Sequence, residues 1–502
     1  MTGADWAPFT AACSRAAARF ALALTNAVQH QRELLASIVS TNADCAFGRE
    51  HDFAAITDFE AYCRQVPVRG HSGFAPRIAR MAGGEADCLT SELVIAFEET
   101  GGTGGAKLVP YTAAGLDGFR RAVLPWLGDL IARRPALARG RAYLTISPAT
   151  RARQVTPGGL AIGLDSDAAY LGADLAPALA ALLAVPPTLG QLRDPGQWQV
   201  ETLAALIAAP DLSFVSLWSP TFLLALLGSL EGHAEAVLAR LSPAERRRLQ
   251  AAMAGADLDT ERLWPALDCI SCWCDGISAG YARRLQAQFP HAAIEPKGLL
   301  ATEAAVTVPW GPGGACVPAV DSCLIEFHDA AGTPHLCDTL QQGEAYRIVV
   351  STRSGLYRYD LGDLVECVGH RGTVPLLRFI GRAGVNSDLV GEKLDDGFVG
   401  EALAALAGPA VLAARADPAG YVLVMETPEP GALNRVEAAL ARNPHYAHAR
   451  RMGQLAPLGL VRRADLSVQL THRGIAQGRR LGDLKPLALL PLGSGSEEWL
   501  LP

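Results

Sequence analysis

"FEETGGTGGAKLVPYT", residues 97–112, passes from an apolar run into four glycines and closes on a lysine. The stretch "LVIAFEE" (93–99) before the glycines has the composition of a strand, so a strand opens here into a glycine loop. Glycines without Cβ let the backbone turn tightly and offer N–H groups to an anion, while Thr103 adds a hydroxyl and Lys107 a compact charge. The Gly-Lys-Ser/Thr triplet of a Walker A loop is missing, because Ala106 precedes Lys107 and Leu108 follows it. Nor do the glycines match a dinucleotide fingerprint. Read alone, the stretch serves equally well as a hairpin turn.

Outward from it the chain alternates strand-like and helix-like segments. Residues 1–65 are alanine-rich, with Leu22, Leu24, Val28 and Leu34 near helical spacing, which predicts helices. "AYLTISP" (142–148) and "RIVVST" (347–352) read as strands, and "PTFLLALLGSL" (220–230) and "SAGYARRLQAQF" (278–289) as helices. The alternation predicts an α/β fold with mixed sheets. "RFIGR" ends a strand at Arg382 and "AGVNSD" (383–388) is a polar connector, so the expected domains are 1–383 and 384–502. The second carries strand signals at "YVLVME" (421–426) and "LSVQLT" (466–471) and a helix signal at "LNRVEAALAR" (433–442), enough for a small α+β domain.

Half of the 502 residues are hydrophobic and 19% are charged, which excludes global disorder. A formal charge of −7 argues against a general nucleic-acid binder. The arginine-rich "ARRPALARGRAYL" (132–144) reads as a solvated helix face and turn. The N-terminus lacks the pattern of a secretory signal, and "ADLAPALAALLAVPPTLG" (173–190), the nearest approach to a membrane span, is broken by prolines and Asp174. The expectation is a cytoplasmic protein with no membrane partner. Cys269, Cys272 and Cys274 crowd into "CISCWCDG", but no second pair with zinc-ligand spacing follows, and they read as buried strand residues.

The chain has only four lysines, Lys107, Lys297, Lys393 and Lys485; every other basic side chain is arginine. Where arginine serves for ordinary surface charge, a retained lysine points to a need for a compact point charge. Each of the four stands beside a glycine or turn and near a carboxylate. In "KGLLATE" (297–303), Thr302 and Glu303 form a hydroxyl–carboxylate pair suited to a phosphate oxygen and its Mg²⁺, or else a helix N-cap. In "GLYRYDLGDLVECVGH" (355–370), Asp363 follows Gly362 in an expected turn, where a carboxylate can accept both hydroxyls of a ribose, with Arg382 at the next strand's end to join it. Phe214, Trp218 and Phe222 suggest an apolar pocket wall or plain core, and Arg151 and Arg153 a substrate-carboxylate partner or a solvated loop.

Taken in order, these motifs resemble the acyl-acid amido synthetases of the auxin-responsive (GH-three) family, its bacterial members in particular, within the adenylate-forming superfamily of acyl-CoA synthetases and luciferases. The glycine loop resembles the family's phosphate loop, "KGLLATE" its second nucleotide motif, and "GLYRYDLGDLVECVG" with "LRFIGR" and "GEKL" its third. The resemblance implies a large N-terminal domain of mixed sheets and helices and a smaller mobile C-terminal one, turning at Gly384. It implies that Thr100, Gly101, Gly102, Thr103 and Lys107 hold the ATP phosphates and that Thr302 touches the α-phosphate. Glu303 would hold Mg²⁺, and Asp363 and Arg382 the ribose. Lys393 and Lys485 would be the mobile domain's lysines, with Lys485 reaching the acyl carboxylate. The chain departs from the pattern at Ala304, where a glycine is usual, and at Leu299, where the superfamily places an aromatic. The implied activity joins a small carboxylic acid to an amine, an amino acid, through an acyl-AMP made from ATP. Its rivals are transfer to a thiol, coenzyme A or a carrier protein, and a non-catalytic nucleotide-binding relative.

Overall fold

Phe9, Cys13, Ala16, Phe20 and Leu24 recur every three or four residues and form the buried stripe of the first helix, Ala7–Thr25. Leu22 breaks that spacing and is 71% exposed, so it is no part of the stripe. The computed structural model of the chain describes residues 5–102, 105–144, 154–163, 170–172, 174–275, 278–382, 386–403, 406, 408–466, 469–470 and 488–493, the side chains of 100–102, 105–106, 221, 280–281, 381–382, 395–397 and 401 excepted. The first helix lies against helix Ala113–Arg133, and a Cβ on Gly128 would stand 2.4 Å from the Cys13 carbonyl oxygen. Glycine is what lets these two backbones meet.

The chain divides into two compact units, one of Met1–Thr100, Lys107–Pro220 and Leu226–Arg382, the other of Gly101–Ala106, Thr221–Ala225 and Ala383–Pro502. The glycine stretch belongs to a hairpin: strand β1 (Val94–Gly102) and strand β2 (Gly105–Thr112) are neighbours in a four-stranded sheet. A second sheet is parallel throughout, in the order β3 (Arg141–Leu144), β4 (Leu212–Ser216), β5 (Cys269–Cys272) and β6 (Ala293–Pro296). Parallel strands need long crossovers, and the helices Pro195–Ile207 and Ser278–Gln288 lie in them. All five residues of β4 are buried, as expected of a strand covered on both faces. Phe214 is therefore core rather than pocket wall.

A third sheet of seven strands is antiparallel and is dominated by β7 (Tyr359–Arg371) and β8 (Val374–Arg382). Burial alternates along β7: Tyr359, Leu361, Asp363, Val365 and Cys367 face inward. Its start is pinned by Arg358, 5% exposed, which donates to Glu326, fully buried, and to the carbonyls of Cys63 and Val66.

Two expectations are corrected in the larger unit. Arg133, Arg134 and Arg141 do not form a solvated face. They pair with Asp129 and Glu295, with Asp268 and with Asp211, fixing helix Ala113–Arg133 and β3 to neighbouring loops and strands. The helix 220–230 ends at Gly228 and another, Leu230–Arg240, follows.

The second unit carries the sheet Gly459–Arg462, Gly420–Met425, Ala410–Arg415 and Leu489–Leu490, with helices Asp396–Leu403, Ala432–Leu440 and Pro444–Arg451. Val411, Ala413, Val422, Val424, Leu466 and Leu490 make its core. Of the strand expected at 466–471, the described residues Leu466, Gln469 and Leu470 are helical instead, and Gln469 N–H bonds back to the Asp465 carbonyl at helical spacing. Among the described residues no single helix is long and apolar enough to cross a membrane.

Candidate active site

Four pieces of the larger unit are linked by side-chain contacts. The first is the part of the hairpin that belongs to this unit, Val94–Thr100 and Lys107–Thr112. Gly101 and Gly102 close β1 and Gly105 opens β2, so these described glycines are strand ends rather than the entry to a helix. Thr103 lies outside the described residues, and Thr100, Gly101 and Gly102 are placed in β1 by their backbone. Lys107, Val109 and Tyr111 share one face of β2 by strand alternation.

The second piece is a tight turn. Leu300 pairs with Ala305, and Ala301 N–H donates to the Ala304 carbonyl (2.9 Å), which puts Thr302 and Glu303 at the two corners between them. Thr302 is thus no helix N-cap. Gly298 makes the entry to this turn: its φ is +79° and a Cβ would meet the Thr307 carbonyl oxygen at 2.3 Å. Leu299 is held by a Thr307 hydroxyl on its own N–H (2.8 Å), and its side chain packs on the core.

Hairpin and turn touch. The Tyr111 hydroxyl donates to the Thr302 carbonyl (2.5 Å). Burial, then the negative charges of Glu98 and Glu303, push the Tyr111 phenol well up, so it remains a donor. His71 lies 3.2 Å from the Leu108 carbonyl through Nε2. Burial chiefly holds its imidazole below the ordinary range; Lys107 pushes the same way and Glu303 opposes, so both charges reach one ring. Tyr111, Phe119, Thr302, Glu303, Arg353 and Ser354 line a small cavity beside the turn.

The third piece is the β7–β8 ladder. The Tyr359 hydroxyl donates to Glu303 Oε1 (3.1 Å). Asp363, 4% exposed, stands on the same face of β7, about 13 Å further along at 3.3 Å per residue. Its register partner on β8 is Arg382, whose side chain lies outside the description. Asp363 is not in a turn. Gly362, at φ +73°, takes up a register shift against strand Ala345–Ser351 as a bulge, and the strand runs on.

The fourth piece is the carboxyl edge of the parallel sheet. Asp275, three residues past β5, accepts from the Phe379 N–H of β8 (3.4 Å), and burial pushes its carboxyl up. Cys269 and Cys272 are buried within β5, while Cys274 lies beyond it. Lys297 follows β6, 5% exposed, with Nζ 2.5 Å from Ser216 Oγ and 5.0 and 5.3 Å from the rings of Trp218 and Trp126. Trp218 is 39% exposed; Phe222 is buried.

Lys107 and Glu303 both act on His71, Tyr359 bonds Glu303, and Asp363 stands about 13 Å from Tyr359 on the same face of β7. Lys393 stands in the second unit, in a left-handed backbone conformation (φ +48°), one residue after the buried Glu392. Lys485, Gly384, Arg151 and Arg153 lie outside the described residues. Sequence reading missed His71, Tyr111, Tyr359 and Arg353. Alternation along "YRYDLGD" would have put Tyr359 on the face of Asp363; His71, 232 positions from Glu303 along the chain, offers no such signal.

The model of the GH3 family N-terminal domain matches residues 16–246, and that of the GH3 family central domain matches residues 323–382; together they span more than half of the chain. A rice (Oryza sativa subsp. japonica) protein named among the indole-3-acetic acid-amido synthetases, GH3.10, is 24% identical over 395 residues, 73% of this chain and 80% of its own length. The indole-3-acetic acid-amido synthetase GH3.5 of Arabidopsis thaliana is 32% identical over 144 residues, 27% of this chain and 22% of that one. The solved structure of the AtGH3.15 acyl acid amido synthetase in complex with 2,4-DB shares the fold, with a TM-score of 0.70 at 17% identity over 96% of this chain and 94% of that one.

Proposed function

We propose the following activity for a chain that belongs to the GH3 family: it is an ATP-dependent ligase that activates a carboxylic acid as acyl-AMP and passes the acyl group to an amine, an amino acid, forming an amide. One observation carries the reading. The turn, the β7–β8 ladder and the parallel-sheet edge form a closed circuit, through Tyr359 to Glu303, Asp275 to Phe379, and Lys297 leading by five residues into the turn, and the hairpin joins it through Tyr111 to Thr302. Ligands of open α/β sheets bind at the carboxyl ends of the strands, where that circuit lies.

In this reading an oxygen of the acid's carboxylate bonds to the α-phosphorus of ATP and pyrophosphate leaves. The amine nitrogen then attacks the acyl carbon and AMP leaves. Lys107 and the backbone of Thr100–Gly102 and Thr103 face the phosphates, and Thr302 the α-phosphate; Asp363 and Arg382 hold the ribose. Fixed donors of this kind stabilise charge as it builds on phosphate oxygens. Glu303 is a half-buried hard oxygen donor, oriented by Tyr359, which fits it to Mg²⁺; when bound, that ion neutralises phosphate charge. Residues 1–383 and 384–502 act as two domains, and Lys393 and Lys485 reach the reacting groups as the smaller one moves. The chain is a bacterial member working in the cytoplasm on small molecules, and its charge of −7 supports the exclusion of nucleic acid as a partner.

Acid-dependent ATP–pyrophosphate exchange over a broad acid panel tests the first step, and product analysis with amino acids or thiols tests the second. Amide products are expected. No exchange with any acid refutes the activity, and thioester in place of amide moves the chain to a thiol acceptor.

A further inference from the structure

The segment Thr352–Leu356 leads from strand Ala345–Ser351 towards β7, and most of it is buried. Thr352 N–H donates to the Leu356 carbonyl (2.7 Å), and Thr112 N–H donates to the Ser354 hydroxyl (3.3 Å). Gly355, at φ +97°, leaves no room for a Cβ, which would stand 2.8 Å from Leu89. The backbone on either side of Arg353 is therefore held by the fold. Its side chain is held by nothing comparable. Nε of Arg353 is buried without a hydrogen-bond partner, and its guanidinium makes no hydrogen bond or ion pair among the described residues. Arginine can only donate, and a buried donor left unsatisfied calls for an absent ligand or water.

Arg353 lines the small cavity beside the Thr302–Glu303 turn, together with Tyr111 and Phe119. The cavity measures about 20 Å³, enough for a small polar group and far too little for a whole substrate. It suits the polar end of a molecule whose body lies outside it. Burial chiefly holds the guanidinium below its ordinary range; Arg121 pushes the same way, and Asp321, Asp117 and Glu92 oppose without touching it. Asp117 and Asp321 are taken by Arg121 at 2.6 and 3.1 Å, and Asp321 also meets His30 at 3.0 Å. Glu303 accepts from Tyr359. What the Arg353 fork lacks is an acceptor of its own, and a carboxylate matches it with two parallel bonds and one negative charge.

We propose that Arg353 binds a substrate carboxylate in this cavity. This rests on the reading of the chain as an acid-activating ligase. Both substrates of that reaction bring such a group to the turn. The acid's carboxylate meets the α-phosphate at Thr302, and an amino acid's carboxylate is one carbon from the nitrogen that attacks there. In the second case Arg353 restricts the acceptors to amino acids and rejects simple amines.

The test uses the full chain with Arg353→Met, which keeps the stem and removes the donors, and Arg353→Lys, which keeps the charge and removes the fork. In one arm pyrophosphate exchange is titrated with benzoate and with butanoate. In the other, amide formation at saturating acid is compared for phenylalanine and for phenethylamine, which lacks the carboxylate. Arg353→Met should raise KM about 10- to 100-fold with little change in kcat, either for the acids or for phenylalanine alone, and the arm that shifts identifies the source. Arg353→Lys should recover part of the loss. The melting temperature of Arg353→Met should not fall, since no bond within the described residues is broken. A purely structural arginine would lower the melt and depress phenylalanine and phenethylamine alike. That result, or unchanged KM in both arms, overturns the proposal. If the parent exchanges with no acid, calorimetric binding of benzoate and of phenylalanine without ATP decides. Binding that depends on Arg353 then leaves this site standing and refutes the ligase activity; binding indifferent to Arg353, or none, overturns the site.

Discussion

Replacing Tyr359 with phenylalanine removes one oxygen and leaves the packing. The ring sits 5.8 Å from Phe74 and is 4% exposed, so a phenyl ring keeps nearly all of its buried surface. What is lost is the hydroxyl that donates to Glu303 Oε1 at 3.1 Å. A hydrogen bond to a charged group contributes about 1.5–3 kcal/mol. Glu303 is only half-buried, and water recovers part of that, so about 1.4 kcal/mol should appear in the reaction, or roughly a tenfold fall in kcat. Because the carboxylate is less well oriented, the Mg²⁺ concentration for half-maximal exchange should rise several-fold. The melting temperature should move by no more than about 2 °C, since little apolar area is exposed. The assay is acid-dependent pyrophosphate exchange titrated with Mg²⁺, with a thermal melt alongside. Unchanged kcat and unchanged Mg²⁺ dependence in a folded Tyr359→Phe protein would show that Glu303 is not held for the reaction by β7, and the circuit argument would fall with it.

Three further outcomes are expected. Gly298→Ala forces a Cβ to within 2.3 Å of the Thr307 carbonyl at φ +79°, and should cost about 2 kcal/mol or more by chemical denaturation while abolishing exchange; a melt within error of the parent would refute the tight-turn geometry. Arg358→Met takes the guanidinium from the fully buried Glu326 carboxylate, leaving it His328 at 3.0 Å, and should destabilise the larger unit by about 3 kcal/mol, against a much smaller loss for the double variant with Glu326→Leu. Glu392 in the second unit is fully buried: burial first, then the charge of Asp388, raise its carboxyl to about 7, opposed by the Leu389 and Val390 N–H groups and the Tyr421 hydroxyl. A folded value above the unfolded one means that the unfolded chain gives up this proton first, so this unit's stability should fall by roughly 3 kcal/mol as pH rises from about 4.5 to about 7 and then level off. Glu392→Gln should flatten that slope, and a slope of the opposite sign would refute the burial argument.

Sequence by itself determined the local pattern. The period-3.6 stripes of the first helices, the strand-like runs entering the glycines and leaving at "RFIGR", and the scarcity of lysine were all legible, because spacing and residue type act over a few neighbours. So was the family, since the third motif occurs as one contiguous block. Tertiary structure alone decided what depends on partners far along the chain. It made Thr302 and Glu303 turn corners instead of a helix cap, because Leu300 pairs with Ala305. It kept Asp363 in a strand, because a neighbouring strand absorbs the bulge at Gly362. It turned Arg133, Arg134 and Arg141 inward to acids 4, 70, 134 and 162 residues away. And it brought His71 under the influence of both Lys107 and Glu303, and Lys297 within about 5 Å of two indoles, juxtapositions that no periodicity encodes because loop closure, not local propensity, brings those side chains together.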